Sequence, residues 1–139
     1  IDGQSGRIGQ LFVEKVIKAK VSCQITAIGT NAIATANMLK ASARVQGATG
    51  ENAVVVAARK ADVIVGPVGI VMADALLGEI TPAMANAVAQ SNAYKVLLPV
   101  NKCNHFIVGV RDDSMSQLVQ QAVQEVIKSL NWIDNRPVF

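Results

Sequence analysis

Apolar positions along the chain alternate between the spacing of a helix and short continuous runs typical of buried strands. The helical spacing predicts helices over residues 8–20, 32–42, 51–60, 70–77 and 82–90, and a last one after Ser114. Apolar runs predict strands over residues 23–29, 62–66 and 95–100, with a further short strand within residues 43–50. This succession predicts an α/β fold with an open, mostly parallel sheet and helices on both faces.

Two helix starts and one sheet edge are predicted from local signals. Thr81 before Pro82, and Ser114 three residues before Gln117, are typical of helix N-termini. Residues 106–110 follow the strand at 95–100 after too few residues for a parallel crossover. We therefore expect an antiparallel hairpin over residues 95–110 at the edge of the sheet.

The composition narrows the class of protein. The 139 residues are 51% hydrophobic, 17% charged and 4% aromatic, which indicates one domain (1–139) packed with small aliphatic side chains. The net charge of +3 is spread singly, and aromatic residues that could stack on bases are few, so we expect no nucleic-acid partner. No apolar run reaches about 18 residues, so no membrane partner is expected.

The two cysteines carry no recognisable site. Cys23 and Cys103 form no CxxC pair, and with one histidine in the chain they make no zinc ligand set, so no metal site is predicted. Cys23 lies in an apolar run and is predicted to be a buried thiol. Unpatterned cysteines fit a reducing, cytoplasmic setting.

The most informative motif is a glycine-rich segment at the start of the chain. Three glycines spaced by three residues lead into the first helix, an arrangement that lets a phosphate approach backbone amides. The segment, called the glycine loop below, is Gly3, Gln4, Ser5, Gly6, Arg7, Ile8 and Gly9. Gly3 would make the turn, Gly6 would face the ligand, and Gly9 would let the helix pack on its strand. Because little precedes Gly3, we expect the first strand to be truncated in this sequence.

Five loops are predicted at the carboxyl edge of the sheet, where ligands bind in open α/β folds of Rossmann type. They cover residues 3–9, 29–31, 49–52, 66–69 and 99–105, and are rich in Gly, Asn or Thr. The amides from Gly6 to Gly9 would hold a phosphate with help from Arg7. Thr30 and Asn31 would contact a ribose or its phosphate, and Gly66, Pro67 and Gly69 would cover the cofactor.

The identity of a nucleotide ligand stays open at this point. An NAD site wants a carboxylate at the end of the second strand, but that place holds Thr30 and Asn31. No Asp or Glu occurs between Lys15 and Gly50, and Lys40 and Arg44 could favour a 2′-phosphate. NAD, NADP and a mononucleotide all remain compatible with the pattern.

Three residues are weak catalytic candidates. Lys102 and His105, with Cys103 between them, could face a substrate, although a solvated hairpin loop with an inert thiol is the simpler interpretation. Asp74 stands within a nearly all-apolar predicted helix, where a carboxylate needs solvent, a partner or a raised pKa. A solvated or capping role for Asp74 is the alternative.

The glycine loop resembles that of dihydrodipicolinate reductase, with Gly3, Gly6, Arg7 and Gly9 at the matching places; the resemblance implies a nicotinamide cofactor there. The whole chain resembles a family of small uncharacterised bacterial proteins with a Rossmann-like domain. That resemblance rests on the stretches IDGQSGRIG, IGTNAIATANMLKA, GATGENAVV, ADVIVGPVGIVMADALLGEITPAMA and LLPVNKCN. It implies one compact domain and no particular activity.

The sequence supports three hypotheses about function. The first is a nucleotide- or dinucleotide-binding protein that holds a phosphate on the glycine loop. The second is a small NAD(P)-dependent reductase, which would have to act as an oligomer because the chain has no separate substrate domain. The third is a non-catalytic regulatory or assembly module that uses the apolar residues 70–88. A homo-oligomer is expected.

Overall fold

A computed structural model describes residues 1–100 and 104–135 of the chain. The fold is mixed α/β, as the alternating pattern predicts. The elements in chain order are α1 (Arg7–Lys18), β1 (Thr26–Gly29), α2 (Ala32–Leu39), β2 (Gln46–Thr49), α3 (Glu51–Lys60), β3 (Val63–Pro67), a 3₁₀ turn (Val68–Val71), α4 (Pro82–Gln90), β4 (Tyr94–Leu98) and α5 (Met115–Asp134).

The strands of the described residues form two parallel pairs. β1 lies beside β2, with Thr26 opposite Gln46, and β3 lies beside β4, with Val63 opposite Tyr94. The parallel direction predicted from the sequence is therefore confirmed for these pairs. A helix separates the two strands of each pair, as parallel connections require.

The first two residues of the chain lie between the pairs. The Asp2 amide donates to the Ile28 carbonyl and the Thr30 amide donates to the Asp2 carbonyl, both at 3.0 Å. On the other side, the Ile1 nitrogen donates to the Val65 carbonyl at 2.8 Å. Residues 1–2 are therefore hydrogen-bonded to β1 and to β3.

Two main hydrophobic clusters form the core. One joins α3 and α4 to β1 and β3, and the other joins α1 and α5 to β4. β3 contributes to both, because Ile64 packs in the first while its neighbours Val63 and Val65 pack against the second. Successive side chains of a strand point to opposite faces, so β3 carries helices on both sides.

The two helix starts predicted from local signals are confirmed. The Thr81 hydroxyl accepts a hydrogen bond from the Met84 amide at 3.2 Å, and Pro82 occupies the first turn of α4. At the start of α5, Ser114 and Gln117 form a reciprocal capping box. Each device satisfies amides that the first turn of a helix leaves without a partner.

The antiparallel hairpin predicted over residues 95–110 is wrong. β4 pairs in parallel with β3, and residues 106–110 form no strand. Gly109 has a φ of 83°, and the Val110 amide bonds back to the Ile107 carbonyl, so the chain turns there instead of extending. Phe106 in this segment is 87% exposed.

The helix predicted over residues 70–77 is also wrong. After the 3₁₀ turn, residues 72–80 form a compact loop, called the 72–80 loop below, in which Asp74, Leu76 and Leu77 all have positive φ. The Asp74 amide donates to the Ile80 carbonyl at 2.7 Å and closes the loop. The segment is apolar because Leu76 and Ile80 are buried in the core, which a loop can do as well as a helix.

A smaller expectation also fails. Cys23 is exposed and precedes β1, so its thiol is not buried in a strand. The cap of α3 is Gly50, without a side-chain hydrogen bond. Within the part of the chain that the structure describes, none of the helices is long and apolar enough to cross a membrane.

Candidate functional site

The glycine loop makes a tight turn and then enters α1. The Gly6 amide donates to the Gly3 carbonyl at 2.9 Å, and Gly6 has a φ of 68°, a left-handed conformation that favours glycine. A Cβ placed on Gly6 would lie 2.5 Å from the Ala34 carbonyl oxygen. Gly6 therefore lets the loop pack on α2, and its part in facing a ligand stays a prediction.

Asp2 closes the inner side of the glycine loop. Its carboxylate accepts hydrogen bonds from the amides of Gly3 and Gly9, both at 2.8 Å. The residue is 2% exposed, so these bonds are shielded from water. The Gly9 amide, which the sequence suggested for a phosphate, is thus used inside the protein.

Burial raises the pKa of the Asp2 carboxyl, because removal from water penalises the charged form. The hydrogen bonds from Gly9, Gly3 and Ile8 oppose that shift but do not cancel it. Asp2 therefore acts as a structural acceptor within the loop. The sequence analysis missed it, although an Asp immediately before the first glycine is a local signal for such a role.

Glu79 lies on the outer side of the same loop. One carboxylate oxygen, Oε2, accepts from the Gln4 amide at 2.8 Å, the Thr30 hydroxyl at 2.5 Å and the Asn31 side-chain amide at 3.0 Å. The 72–80 loop is thereby joined to the glycine loop and to the end of β1. Sequence reasoning missed Glu79, because its partners lie 48 to 75 residues away along the chain.

The charge of Glu79 is favoured by these bonds. Partial burial of the carboxyl works against ionisation, but the hydrogen bonds from Thr30, Gln4 and Asn31 together lower its pKa below the ordinary value. Glu79 is half-buried, so the carboxylate keeps contact with solvent. A fixed negative charge thus stands at the edge of the glycine loop.

Gly3 permits the close approach of these groups. A Cβ on Gly3 would lie 2.8 Å from Glu79 Oε2, from the Thr30 hydroxyl and from a methyl of Leu76. Any side chain at that position would separate the glycine loop from Glu79. The need for glycine at the first position is therefore set by the carboxylate as well as by the turn.

Several of the predicted edge loops do meet. Asn31 joins two of them, since its side-chain nitrogen donates to the Gln4 carbonyl at 3.0 Å while its oxygen caps α2 by accepting from the Ala34 amide at 2.8 Å. The Gly50 amide donates to the Gly29 carbonyl at 2.9 Å, which places the start of α3 beside the end of β1. The loops at residues 3–9, 29–31 and 49–52 are thus contiguous.

The remaining predicted binding residues are placed less directly. Gly66, Pro67 and Gly69 are buried at the end of β3 and in the 3₁₀ turn that follows. Lys40 and Arg44 are exposed, and the Lys40 ammonium donates to the Asn37 side chain at 2.7 Å. Their part in binding stays a prediction.

Two backbone donors of the glycine loop point to no described acceptor. α1 begins after Gly6 without a side-chain cap, and none of the described residues accepts a hydrogen bond from the Ser5 or Arg7 amide. The side chains of Ser5 and Arg7 are both exposed. These amides, unlike those of Gly6 and Gly9, have no acceptor among the described residues.

The catalytic candidates are not joined into one site by the described contacts. Lys102 and Cys103 lie outside the described residues. His105 is exposed in the segment after them, and Asp74 is exposed in the 72–80 loop. A catalytic role for Lys102, His105 or Asp74 stays a prediction. Over residues 1–100 and 104–135, no group of three or more His, Cys, Asp or Glu residues could hold a metal ion.

A groove of about 490 Å³ lies elsewhere, between α3 and α4. Its lining includes Ala58, Ala87 and Ala93, and none of the predicted binding residues. The groove is at the amino ends of β3 and β4, whereas the glycine loop is at the carboxyl edge. We place the candidate site at the glycine loop because its donors and its carboxylate converge there.

Comparison with known proteins gives one match. A family model described as a domain of unknown function (DUF3842) matches residues 1–131. No curated protein and no solved structure matches the chain. The match covers nearly the whole chain, in agreement with the resemblance seen in the sequence.

Proposed function

The chain belongs to the family of this domain of unknown function (DUF3842), and we propose from its own geometry that it binds a small phosphate-bearing ligand, a nucleotide or dinucleotide, at the glycine loop. The observation that carries the proposal is the start of α1. Its first turn has no side-chain cap, and the amides of the exposed residues Ser5 and Arg7 lack an acceptor among the described residues. A helix N-terminus with open amides favours a negatively charged group.

The sheet order proposed for this site is of Rossmann type. Residues 1–2 hydrogen-bond to β1 on one side and to β3 on the other, which supports a continuous order of β2, β1, residues 1–2, β3 and β4. In that order the chain reverses its direction of travel beside residues 1–2. Ligands of open α/β sheets bind outside the carboxyl ends of the strands at such a reversal.

The roles of the residues follow from this placement. The phosphate binds the Ser5 and Arg7 amides, with the Arg7 guanidinium beside it. Thr30 and Asn31 lie on the ribose side, already oriented by Glu79. The turn containing Gly66, Pro67 and Gly69 flanks the ligand on the β3 side. The Gly6 and Gly9 amides take no part, since Gly3 and Asp2 accept from them.

Isothermal titration calorimetry of the full chain with NAD, NADP, ATP and AMP tests the proposal. At least one nucleotide should bind, and at a fixed excess of ligand it should raise the melting temperature by an amount that grows with the logarithm of its affinity. Absence of binding by all four would contradict the proposal.

Arg7→Ala and Arg59→Ala form a matched pair for the same titration. Both arginines are exposed, but Arg59 lies in the last turn of α3, away from the glycine loop. Loss of one phosphate contact in Arg7→Ala should weaken binding about tenfold, as expected for a charge-assisted hydrogen bond. Arg59→Ala should bind as the wild type does. Equal affinities for the two variants would place the phosphate elsewhere.

Self-assembly is a second function that one observation favours. Leu77, at the tip of the 72–80 loop, is 96% exposed, and its apolar side chain would leave water in an assembly that uses this loop. A homo-oligomer that uses this loop should appear by light scattering at micromolar concentration. Leu77→Ser should shift it to the monomer; a wild-type monomer at all concentrations contradicts this second function.

A further inference from the structure

Glu79 holds a carboxylate in a fixed orientation beside the proposed ligand site. Its Oε2 atom accepts all three of the hydrogen bonds from Gln4, Thr30 and Asn31. None of the described residues donates to the other oxygen, Oε1. The half-buried carboxylate therefore presents one oriented acceptor that a ligand can use.

A ligand could engage Glu79 in two ways. It could displace the carboxylate and take over its three donors, or it could donate to Oε1 and leave those bonds intact. Each charge-assisted hydrogen bond is worth about tenfold in affinity, so displacement forfeits on the order of a thousandfold before any gain. Donation to Oε1 forfeits nothing, and this favours a ligand with hydroxyl donors over an anion at this position.

The position of Glu79 indicates which hydroxyls of a ligand would donate to it. Thr30 and Asn31 follow directly after β1, which lies beside residues 1–2, and Gln4 belongs to the glycine loop. In open α/β sheets that bind dinucleotides, a carboxylate at the end of the second strand accepts from a ribose diol. In this chain the local residues at that place are Thr30 and Asn31, and the carboxylate reaches them from the 72–80 loop.

We propose that Glu79 is the acceptor for the 2′- and 3′-hydroxyls of a bound ribose and that it discriminates against a 2′-phosphate. A 2′-phosphate would place a second negative charge next to the carboxylate and would remove one hydroxyl donor. This inference rests on the proposed nucleotide-binding function. It also reverses the preference that Lys40 and Arg44 suggested from the sequence, in favour of NAD over NADP.

Two ligand pairs test the inference on the wild-type chain. Calorimetry gives the affinities for NAD and NADP, and for AMP and 2′-deoxy-AMP. The two ligands of each pair differ at the group that Glu79 should recognise. We expect NAD to bind at least about tenfold tighter than NADP, and AMP about tenfold tighter than 2′-deoxy-AMP. Equal affinity within both pairs, or tighter binding of NADP, overturns the role of Glu79. Because only the wild type is needed, the test does not depend on a variant that folds.

Glu79→Gln assigns the discrimination to this residue, and Glu14→Gln is its control. Glu14 is an exposed acid within α1, where its carboxylate accepts from Gln10. Glu79→Gln should bring each ligand pair to within about twofold, whereas Glu14→Gln should keep the wild-type ratios. A Glu79→Gln variant that binds inorganic phosphate and NAD more tightly would instead identify Glu79 as a displaced occupant and overturn the proposal. If none of the nucleotides binds the wild type, the proposed function itself fails; binding without dependence on the diol defeats this inference alone.

Discussion

Each side of the glycine loop carries a carboxyl group, and the fold shifts the pKa values of the two groups in opposite directions. On the inner side, Asp2 is buried and its pKa is raised, chiefly by the loss of water. On the outer side, Glu79 is half-buried, and its three hydrogen bonds outweigh burial and lower its pKa. Both carboxylates accept from backbone amides of the same loop.

This difference distinguishes a carboxylate that serves the fold from one that can recognise a ligand. The two oxygens of Asp2 are divided between the Gly3 and Gly9 amides, so both serve the fold. Glu79 concentrates its described bonds on Oε2, and none of the described residues donates to Oε1. The inner side should therefore control the stability of the loop, and the outer side should control what the loop binds.

The largest expected loss of stability comes from a side chain that fills the space between the glycine loop and α2. Gly6→Ala adds a Cβ 2.5 Å from the Ala34 carbonyl oxygen at a φ of 68°. Left-handed alanine and overpacking each destabilise by roughly 1–2 kcal/mol, so urea unfolding should show a loss of about 3 kcal/mol. Gly78→Ala is the matched control, because Gly78 also has positive φ but nothing within 4 Å. It should lose only about 1 kcal/mol, and equal losses would mean that contact with α2 is unimportant.

Removal of the Asp2 carboxylate should cause the next largest loss in the free energy of unfolding. Asp2→Ala leaves the Gly3 and Gly9 amides without their acceptor in a buried place, which costs about 2–3 kcal/mol in the free energy of unfolding. The control is Asp112→Ala, since Asp112 is exposed, and it should change stability by less than about 0.5 kcal/mol. A small effect in Asp2→Ala would show that water reaches these amides and would remove the contrast with Glu79.

The two sides of the loop also differ in how much of them the sequence could reveal. α4 and α5 are predictable because their caps and apolar spacing are local, as for Thr81 and for Ser114 with Gln117, and α1 is predictable from its apolar spacing alone. The role of Asp2 was within reach for the same reason, since both of its partners lie within seven residues. Such local hydrogen bonds can be predicted from the sequence because the element that contains the interacting groups also sets their positions.

Glu79 could not be found in this way. Its position depends on the 72–80 loop, where an apolar run predicted a helix and the chain instead takes three left-handed residues, Asp74, Leu76 and Leu77. The apolar periodicity indicates that the segment is buried, but it does not indicate that the chain turns there. The failed hairpin has a related origin, because the apolar pattern of residues 106–110 does not reveal that the chain turns at Gly109.

Opposite pH dependences should separate the two carboxylates. The fold raises the pKa of Asp2 above its ordinary 3.8, so its protonated form contributes stability that is lost as pH rises through the raised pKa. The fold lowers the pKa of Glu79 below its ordinary 4.5, so its contribution is present above 4.5 and is lost as pH falls through the lowered pKa. Urea unfolding between pH 3 and 7 measures both.

The wild type should lose stability relative to Asp2→Asn as pH rises from 3.8, and should gain stability relative to Glu79→Gln as pH rises to 4.5. Each variant lacks one titrating group, so the difference isolates that group. Slopes of the same sign would show that the fold shifts both pKa values in the same direction, and the comparison between the inner and outer sides would fail.

The smallest effect tests the support of Glu79 by a single hydroxyl. Thr30→Val keeps the shape of the side chain but removes the 2.5 Å hydrogen bond to Oε2. Because the Gln4 and Asn31 bonds remain, we expect a loss of only about 1 kcal/mol in the free energy of unfolding. The pKa of Glu79, followed by the NMR shift of its side-chain carbonyl carbon, should move upward toward its ordinary value, since one of the bonds that lower it is gone. Thr26→Val, at an exposed position at the start of β1, should leave that titration unchanged. An unshifted pKa in Thr30→Val would mean that the carboxylate is not held by this bond, and its open oxygen would then not be oriented toward a ligand.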